Sequence, residues 1–196
     1  MHSEIILIGP MGAGKTTVAT LLAEKLNLPR VSLDDVRFDY YKQIGYDEAA
    51  ANELEQLHGF LALYRYWKPF EAYAVEKVLA EHSHCVFDFG AGHSVYEDVD
   101  LFAHIRTVLE PFPNVVLLLP SPDLDESVFL LKQRGGDCVD GGVDFHEHFV
   151  KHPSNKSLAK ITVYTKGKTP EQTCDEVLRS LLVPAEVQRL SPTSGG

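Results

Sequence analysis

Five short apolar runs, at 4–9 (EIILIG), 29–33 (PRVSL), 84–90 (HCVFDFG), 114–121 (NVVLLLPS) and 160–165 (KITVYT), recur between longer stretches whose apolar residues repeat at helical spacing. Several are apolar at consecutive rather than alternating positions, the pattern of strands covered on both faces. Over 16–26, Val18, Leu21, Leu22 and Leu26 share one helical face, and Asn27 is a suitable stop. Further helices are predicted over 47–63, opened by Asp47, and over 68–82, with Pro69 in its first turn. Two more, over 98–109 and 123–133, each open at an aspartate, and one over 170–182 closes the series. Strands alternating with helices in this way define an α/β class with a parallel sheet.

The segment 134–155 (RGGDCVDGGVDFHEHFVKHPSN) breaks the rhythm, with four glycines in its first half and no clear period. An irregular stretch inside a compact domain is usually functional, and it reads as a lid. No repeat or linker divides the chain, so residues 1–188 are expected to form one domain, with 189–196, ending in SPTSGG, as a flexible tail.

Composition narrows the classes of partner. Against 18 basic residues stand 28 acidic ones, a formal charge of −10 that would repel a nucleic-acid backbone, and no dense basic patch offsets it. Cys85, Cys138 and Cys174 share no metal-type spacing and are odd in number, which fits a reducing compartment. No leader pattern or membrane-length apolar run is evident. A soluble cytoplasmic protein, monomeric or a small homo-oligomer, is expected, with neither nucleic acid nor membrane as partner.

The sharpest motif is GPMGAGKTT, residues 9–17. Gly9, Gly14, Lys15 and Thr16 satisfy G-x-x-x-x-G-K-[ST] between a predicted strand and a predicted helix. Glycines let successive backbone N–H groups point inward and, with the helix N-terminus, cradle phosphate oxygens. The nucleotide-binding set is therefore Gly12, Ala13, Gly14, Lys15, Thr16 and Thr17. Lys15 would reach the β- and γ-phosphates, and the Thr16 hydroxyl would ligate Mg²⁺.

With this loop in place, the chain resembles the shikimate kinase family of small P-loop kinases over most of its length. The family's Asp-x-Asp pair after the second strand is matched by SLDD, with Ser32 at the first position and Asp34 at the second. WKPFE matches its Phe-Arg-x-x-Glu helix, with Lys68 in place of arginine and Glu71 retained. Gly90, Ala91 and Gly92 echo its Gly-Gly-Gly turn. KHPSN resembles its Arg-x-Pro-x-Tyr segment, with Lys151 and Asn155 replacing arginine and tyrosine. TKGKTP, with Lys168, occupies the place of the loop that packs on adenine. The resemblance implies a three-layer kinase fold with five parallel strands in the order 2-3-1-4-5, a mobile lid, and ATP with Mg²⁺ as cofactors. It also implies an acceptor site formed by Asp34, neighbouring Asp35, Lys68, Gly90, Ala91, Gly92 and Lys151.

The departures fall on residues that grip the acceptor. Guanidinium binds carboxylate through two parallel hydrogen bonds that an ammonium cannot reproduce, so Lys68 and Lys151 argue against shikimate. Between Gly135 and Val150 there is no Arg or Lys, whereas Asp137, Asp140, Asp144 and Glu147 are present. The family's lid arginine would have to be replaced by Arg134, taken as the catalytic candidate, or by Lys151, His146 or His148.

Each candidate has a bland alternative. Asp34 would orient the acceptor hydroxyl and take its proton, or Asp34 or Asp35 caps a helix beginning near Val36. Asp88, closing CVFD, would hold Mg²⁺ through water, or bonds the backbone amides of FGAGH. Phe60, Tyr64, Tyr66, Trp67, Phe70 and Tyr73 read mainly as core, with Trp67 beside Lys68 the exception. The histidines of HEH and His152 lack metal-site spacing. The lid acids form a solvated face or favour an acceptor bearing an amine. The expected activity is transfer of the ATP γ-phosphoryl group to a hydroxyl of a small polar metabolite. The competing readings are a kinase for gluconate, an antibiotic hydroxyl or a nucleoside monophosphate, and a regulatory module that binds nucleotide without transferring it.

Overall fold

A computed structural model describes residues 4–181. The sheet is assembled from the predicted apolar runs as β1 (Ile5–Ile8), β2 (Arg30–Ser32), β3 (Val86–Asp88), β4 (Val115–Leu119) and β7 (Ile161–Tyr164). All five are parallel, in the order β2-β3-β1-β4-β7, the order expected for the five runs counted alone. Side chains leave the sheet alternately, so each strand feeds both faces. Ile6, Ile8, Phe87, Val115 and Leu117 join one core and Ile5, Leu7, Val86, Val116 and Leu118 the other. The second core is closed by α1 (Lys15–Leu26), through Val18 and Leu22, and by α9 (Pro170–Leu181), through Cys174 and Val177. The first is covered by α2 (Leu33–Tyr41), α4 (Phe60–Glu81) and α5 (Val99–Leu109). All three cysteines are unpaired thiols.

Helix boundaries differ from the sequence reading in instructive places. The predicted helices 47–63 and 68–82 are instead α3 (Glu48–His58) and α4, divided at Gly59, whose φ of 80° suits glycine and ends the first helix. Pro69 consequently lies in the interior of α4 rather than in its first turn. Its ring is exposed, so the Arg65 carbonyl that loses its usual donor faces the solvent side, where water can serve it. Helix α2 starts at Leu33, directly after β2, so Asp34 and Asp35 occupy its first turn and neither is the cap. There their charge favours the positive helix end. The predicted caps Asp98 and Asp123 each accept two backbone N–H bonds at α5 and α6 (Leu124–Gly135). The expected tail at 189–196 and the last residue of helix 170–182 lie outside the described residues.

The predicted lid is more regular than its sequence suggested. Val139–Asp140 (β5) and Val143–Asp144 (β6) form a hairpin across Gly141–Gly142, both at positive φ, the two-residue glycine turn that short hairpins favour. It leads into α7 (Phe145–Lys151) and α8 (Pro153–Leu158). Phe145 is fully buried, 4.9 Å from the Phe60 ring and 5.5 Å from Tyr64, and seats α7 on the start of α4. Three of the four lid acids are engaged within the protein. Asp140 accepts from Leu61 N at 2.8 Å, Asp144 caps α7 and pairs with Lys132, and Glu147 holds Lys151. That places these three in structural roles rather than facing an amine-bearing acceptor.

Phe145→Ala removes the ring that joins lid to body and should cost about 3 kcal/mol of stability. A drop in urea midpoint with an unchanged slope would report it; an unchanged midpoint would mean that the lid is not part of the cooperative fold.

Candidate functional site

The C-terminal ends of β1, β2 and β3 meet at one edge of the sheet, where parallel α/β folds collect ligands. Register brings the strand ends together: Leu7 lies beside Asp88, and Ser32 lies beside Asp88 on the other flank. The phosphate loop follows β1 and turns into α1 at Gly14, which is left-handed at φ 93°. Lys15 is buried, and its Nζ donates to the Gly9 and Pro10 carbonyls at 2.8 and 2.9 Å. Burial pulls its pKa down to about 8, opposed by the charges of Asp88 and Asp34. Asp88 is itself buried, and desolvation raises its pKa, while the Thr16 hydroxyl that bonds it, Lys15 and Arg30 favour its charged form. The Thr16 hydroxyl and Asp88 carboxylate line the same cavity, an oxygen donor pair suited to Mg²⁺, which asks few protein ligands when phosphates and water complete its shell. Among the described residues no three His, Cys, Asp or Glu side chains form a metal cluster.

A cavity of about 380 Å³ opens from the loop and is lined at once by Lys15, Thr16, Asp34, Asp88, Arg37 and His93. Aromatic walls come from Phe60, Tyr64, Trp67 and Phe149. Trp67, singled out in the sequence, does line it. The structure separates the two aspartates: Asp34 lines the cavity, whereas Asp35 turns to Arg30 at 3.5 Å. Arg30 also donates to Asp88 at 3.0 Å, a partnership not foreseen from sequence. Arg37 was missed as well. Its guanidinium sits 4.7 Å from the Trp67 ring centroid, 4.8 Å from Phe38 and 3.6 Å from Asp34. The three-residue spacing from Asp34 was the available signal, since it places both on one helix face.

The glycine turn is needed for close approach. A Cβ at Gly90 would come closer than 3.0 Å to both Asp34 Oδ1 and His93 Nδ1, and one at Gly92 closer than 3.0 Å to Glu71 Oε1. Ala91 and Gly92 line the cavity beside it.

Three other predicted residues are placed differently. Lys68 donates to the Gly92 and Val95 carbonyls at 2.9 and 3.1 Å and pairs with Glu71. An ammonium has three donors, so none remains for an acceptor. Lys151 lies outside the cavity, held by Asp125 at 2.8 Å and Glu147 at 2.6 Å. Arg134 reaches toward Gly12 O at 3.4 Å and lines a second groove with Ala13, Gly14, Thr17 and Lys168, apart from the cavity lined by Asp34. That position fits nucleotide contact better than the reacting centre. Lys168 in that groove donates to Tyr164 O at 2.7 Å and pairs with Glu176 at 2.5 Å. The lid histidines are engaged: His146 Nε2 with Gly136 O at 2.9 Å, His148 Nε2 with the Tyr64 hydroxyl at 3.0 Å, and His152 as the cap of α8.

Comparison with known proteins agrees with this arrangement. Residues 5–111 match a family model described as an AAA domain. Shikimate kinase of Francisella tularensis subsp. holarctica is 35% identical over 183 residues, covering 89% of this chain and 92% of that one. A tRNA dimethylallyltransferase of Lactobacillus gasseri is 35% identical over only 95 residues, and the match spans 48% of this chain and 30% of that protein. Shikimate kinase from Acinetobacter baumannii in complex with shikimate shares the fold, with a TM-score of 0.61, 21% identity and 97% of each chain covered. The fold and phosphate loop define a P-loop nucleotide-binding protein. Within that class, the chain belongs to the shikimate kinase-like family of small ATP-dependent kinases. No helix among the described residues is long and apolar enough to cross a membrane.

Two predictions follow from charge. Because Lys15 titrates near 8 and a bound polyphosphate favours its charged form, Mg-ATP binding should take up about one proton at pH 9 and almost none at pH 7. Calorimetry in buffers of different ionisation enthalpy measures this, and equal uptake at both pH values would contradict it. Lys68→Met strands the buried Glu71 carboxylate and should cost about 3–5 kcal/mol of stability. An unchanged denaturation midpoint would show that the ammonium does not support the fold.

Proposed function

We propose that the protein moves the γ-phosphoryl group of ATP to a hydroxyl of a small polar metabolite other than shikimate. The observation that carries this reading is the single cavity in which Lys15 and Thr16 of the phosphate loop face Asp34. Phosphoryl transfer asks mainly for positioning and charge neutralisation. Lys15 neutralises charge on the phosphates, and Asp34 orients the acceptor hydroxyl and takes its proton. Thr16 and Asp88 would hold Mg²⁺, which neutralises phosphate charge when bound. The aromatic walls exclude water around the reacting groups.

Against shikimate stand the engaged Lys68 and the remote Lys151, which leave no pair of arginines for a carboxylate. Arg37 is the one arginine lining the cavity among the described residues, and Asp34 already faces its charge. The single-carboxylate strand end, with Ser32 beside Asp88, also favours a second reading, a nucleotide-binding module without transfer activity.

ATP consumption measured with hydroxylated metabolites, shikimate and gluconate included, separates the two. A kinase shows acceptor-dependent turnover; a module binds nucleotide and shows none. Under the kinase reading Asp34→Asn lowers kcat by about 100-fold or more while ATP affinity is retained. An intact rate in that variant would remove Asp34 from the chemistry.

A further inference from the structure

Arg37 stands one helical turn after Asp34 on α2 and is the only arginine that lines the acceptor cavity among the described residues. Its side chain keeps 21% exposure, and its guanidinium carbon rests 4.7 Å from the centroid of Trp67 and 4.8 Å from that of Phe38. Those rings are themselves held: Trp67 Nε1 donates to the Tyr46 hydroxyl at 3.3 Å, and Trp67 meets Phe38 edge-on at 6.4 Å. Stacking on fixed rings restrains a planar guanidinium without using its N–H groups. Asp34, 58% exposed, is its one ion-pair partner among the described residues, and at 3.6 Å the contact is longer than a hydrogen bond. The other cations nearby are committed to structure, Arg30 to Asp88 and Lys68 to Glu71 and two carbonyls. Arg37 is therefore a fixed positive charge facing the cavity with its donors still to be used.

Phosphoryl transfer brings negative charge to this point. The acceptor hydroxyl oxygen attacks the γ-phosphorus, the bond from phosphorus to the bridging oxygen breaks with its electron pair leaving on ADP, and the hydroxyl proton goes to Asp34. A hydroxyl bonded to Asp34 lies about 2.6–3.2 Å from the carboxylate and about 3–3.5 Å from the phosphorus it attacks. The oxygens of the moving phosphoryl group consequently pass beside the guanidinium that flanks Asp34. Lys15 comes from the phosphate loop and Arg37 from α2, so two separate elements bring cations to the same cavity. The pairing with Asp34 also makes the effect selective for the transfer step. Before transfer the Asp34 carboxylate balances the guanidinium; once Asp34 holds the proton, that charge is left to the phosphoryl oxygens. An interaction that strengthens during the reaction lowers its barrier, whereas one equally strong beforehand does not.

We propose that Arg37 is a further catalytic residue, whose guanidinium, held against Trp67 and Phe38, bonds the phosphoryl group as it passes from ATP to the acceptor. This rests on the kinase reading above and adds to it the residue that meets the charge of the transferred group.

The test offers shikimate, D-gluconate and further hydroxylated metabolites as acceptors and continues with the one that turns over. Folded Arg37→Met should lose about 100-fold or more in kcat, with Mg-ATP affinity and acceptor KM within about threefold of wild type. Fluoroaluminate, a mimic of the phosphoryl group in transit, should tighten Mg-ADP binding by wild-type protein with that acceptor about tenfold or more, and should leave Arg37→Met nearly unaffected. As a measurement on the unaltered protein, the ¹⁵N-arginine signal identified as that of Arg37 by its loss in Arg37→Lys should shift when the fluoroaluminate complex forms and not with Mg-ADP and acceptor alone. An undiminished kcat in folded Arg37→Met, a loss confined to acceptor KM, equal tightening by fluoroaluminate in both proteins, or an unmoved guanidinium signal would overturn the role of Arg37 and leave the kinase reading standing. Absence of acceptor-dependent turnover with every compound, together with intact Mg-ATP binding, would defeat the kinase reading and this proposal with it.

Discussion

The parallel register of β1, β2 and β3 is the constraint on which the site depends. Leu7 and Ser32 flank Asp88 at the same level of the sheet. The chain leaving β1 becomes the phosphate loop, the chain leaving β2 enters α2 with Asp34 in its first turn, and the chain leaving β3 makes the glycine turn. A slip of one residue in any pair would exchange the faces of that strand and carry its apolar side chains out of their cores. The two-sided burial of these strands, seen in fully buried Ile6, Leu7, Val86 and Phe87, therefore fixes the relative height of Lys15, Asp34 and Asp88.

Around this edge the protein spends charges to hold backbone. Lys68, its donors filled by two carbonyls and Glu71, pins the turn after β3 to α4. Arg30 steadies Asp88, and Asp140 of the hairpin caps the start of α4. These groups are buried or half-buried and answered by named partners, as buried charges must be. His93 is the contrast: equally buried, lining the same cavity as Asp34, and without a hydrogen-bond partner on either ring nitrogen.

Much of this was legible in the chain. Consecutive apolar residues gave the strands, and the spacing of Gly9, Gly14, Lys15 and Thr16 gave the loop, because both depend on local pattern. The family resemblance supplied the sheet order. The α3–α4 break was misplaced because the aromatic run from Phe60 continues the helical period past Gly59, while Pro69 attracted the boundary to itself. The Asp140–Val143 hairpin is not legible from periodicity, although its paired glycines are a turn signal, since its strands are only two residues each. The family motif points Lys68 at the acceptor, yet Glu71, three residues on, is a visible helix partner in the sequence. Arg37 and His93 carry no motif, and only the fold shows that they face the same cavity as Asp34.

The central claim is that the loop from Gly9 to Thr17 encloses a nucleotide polyphosphate with Lys15 as its counter-charge. Titrating Mg-ATP and Mg-GTP into wild-type protein and Lys15→Ala by calorimetry at pH 7 tests it most directly. The account predicts one-site binding by the wild type that the variant loses. Uptake of neither nucleotide by folded wild-type protein would contradict it.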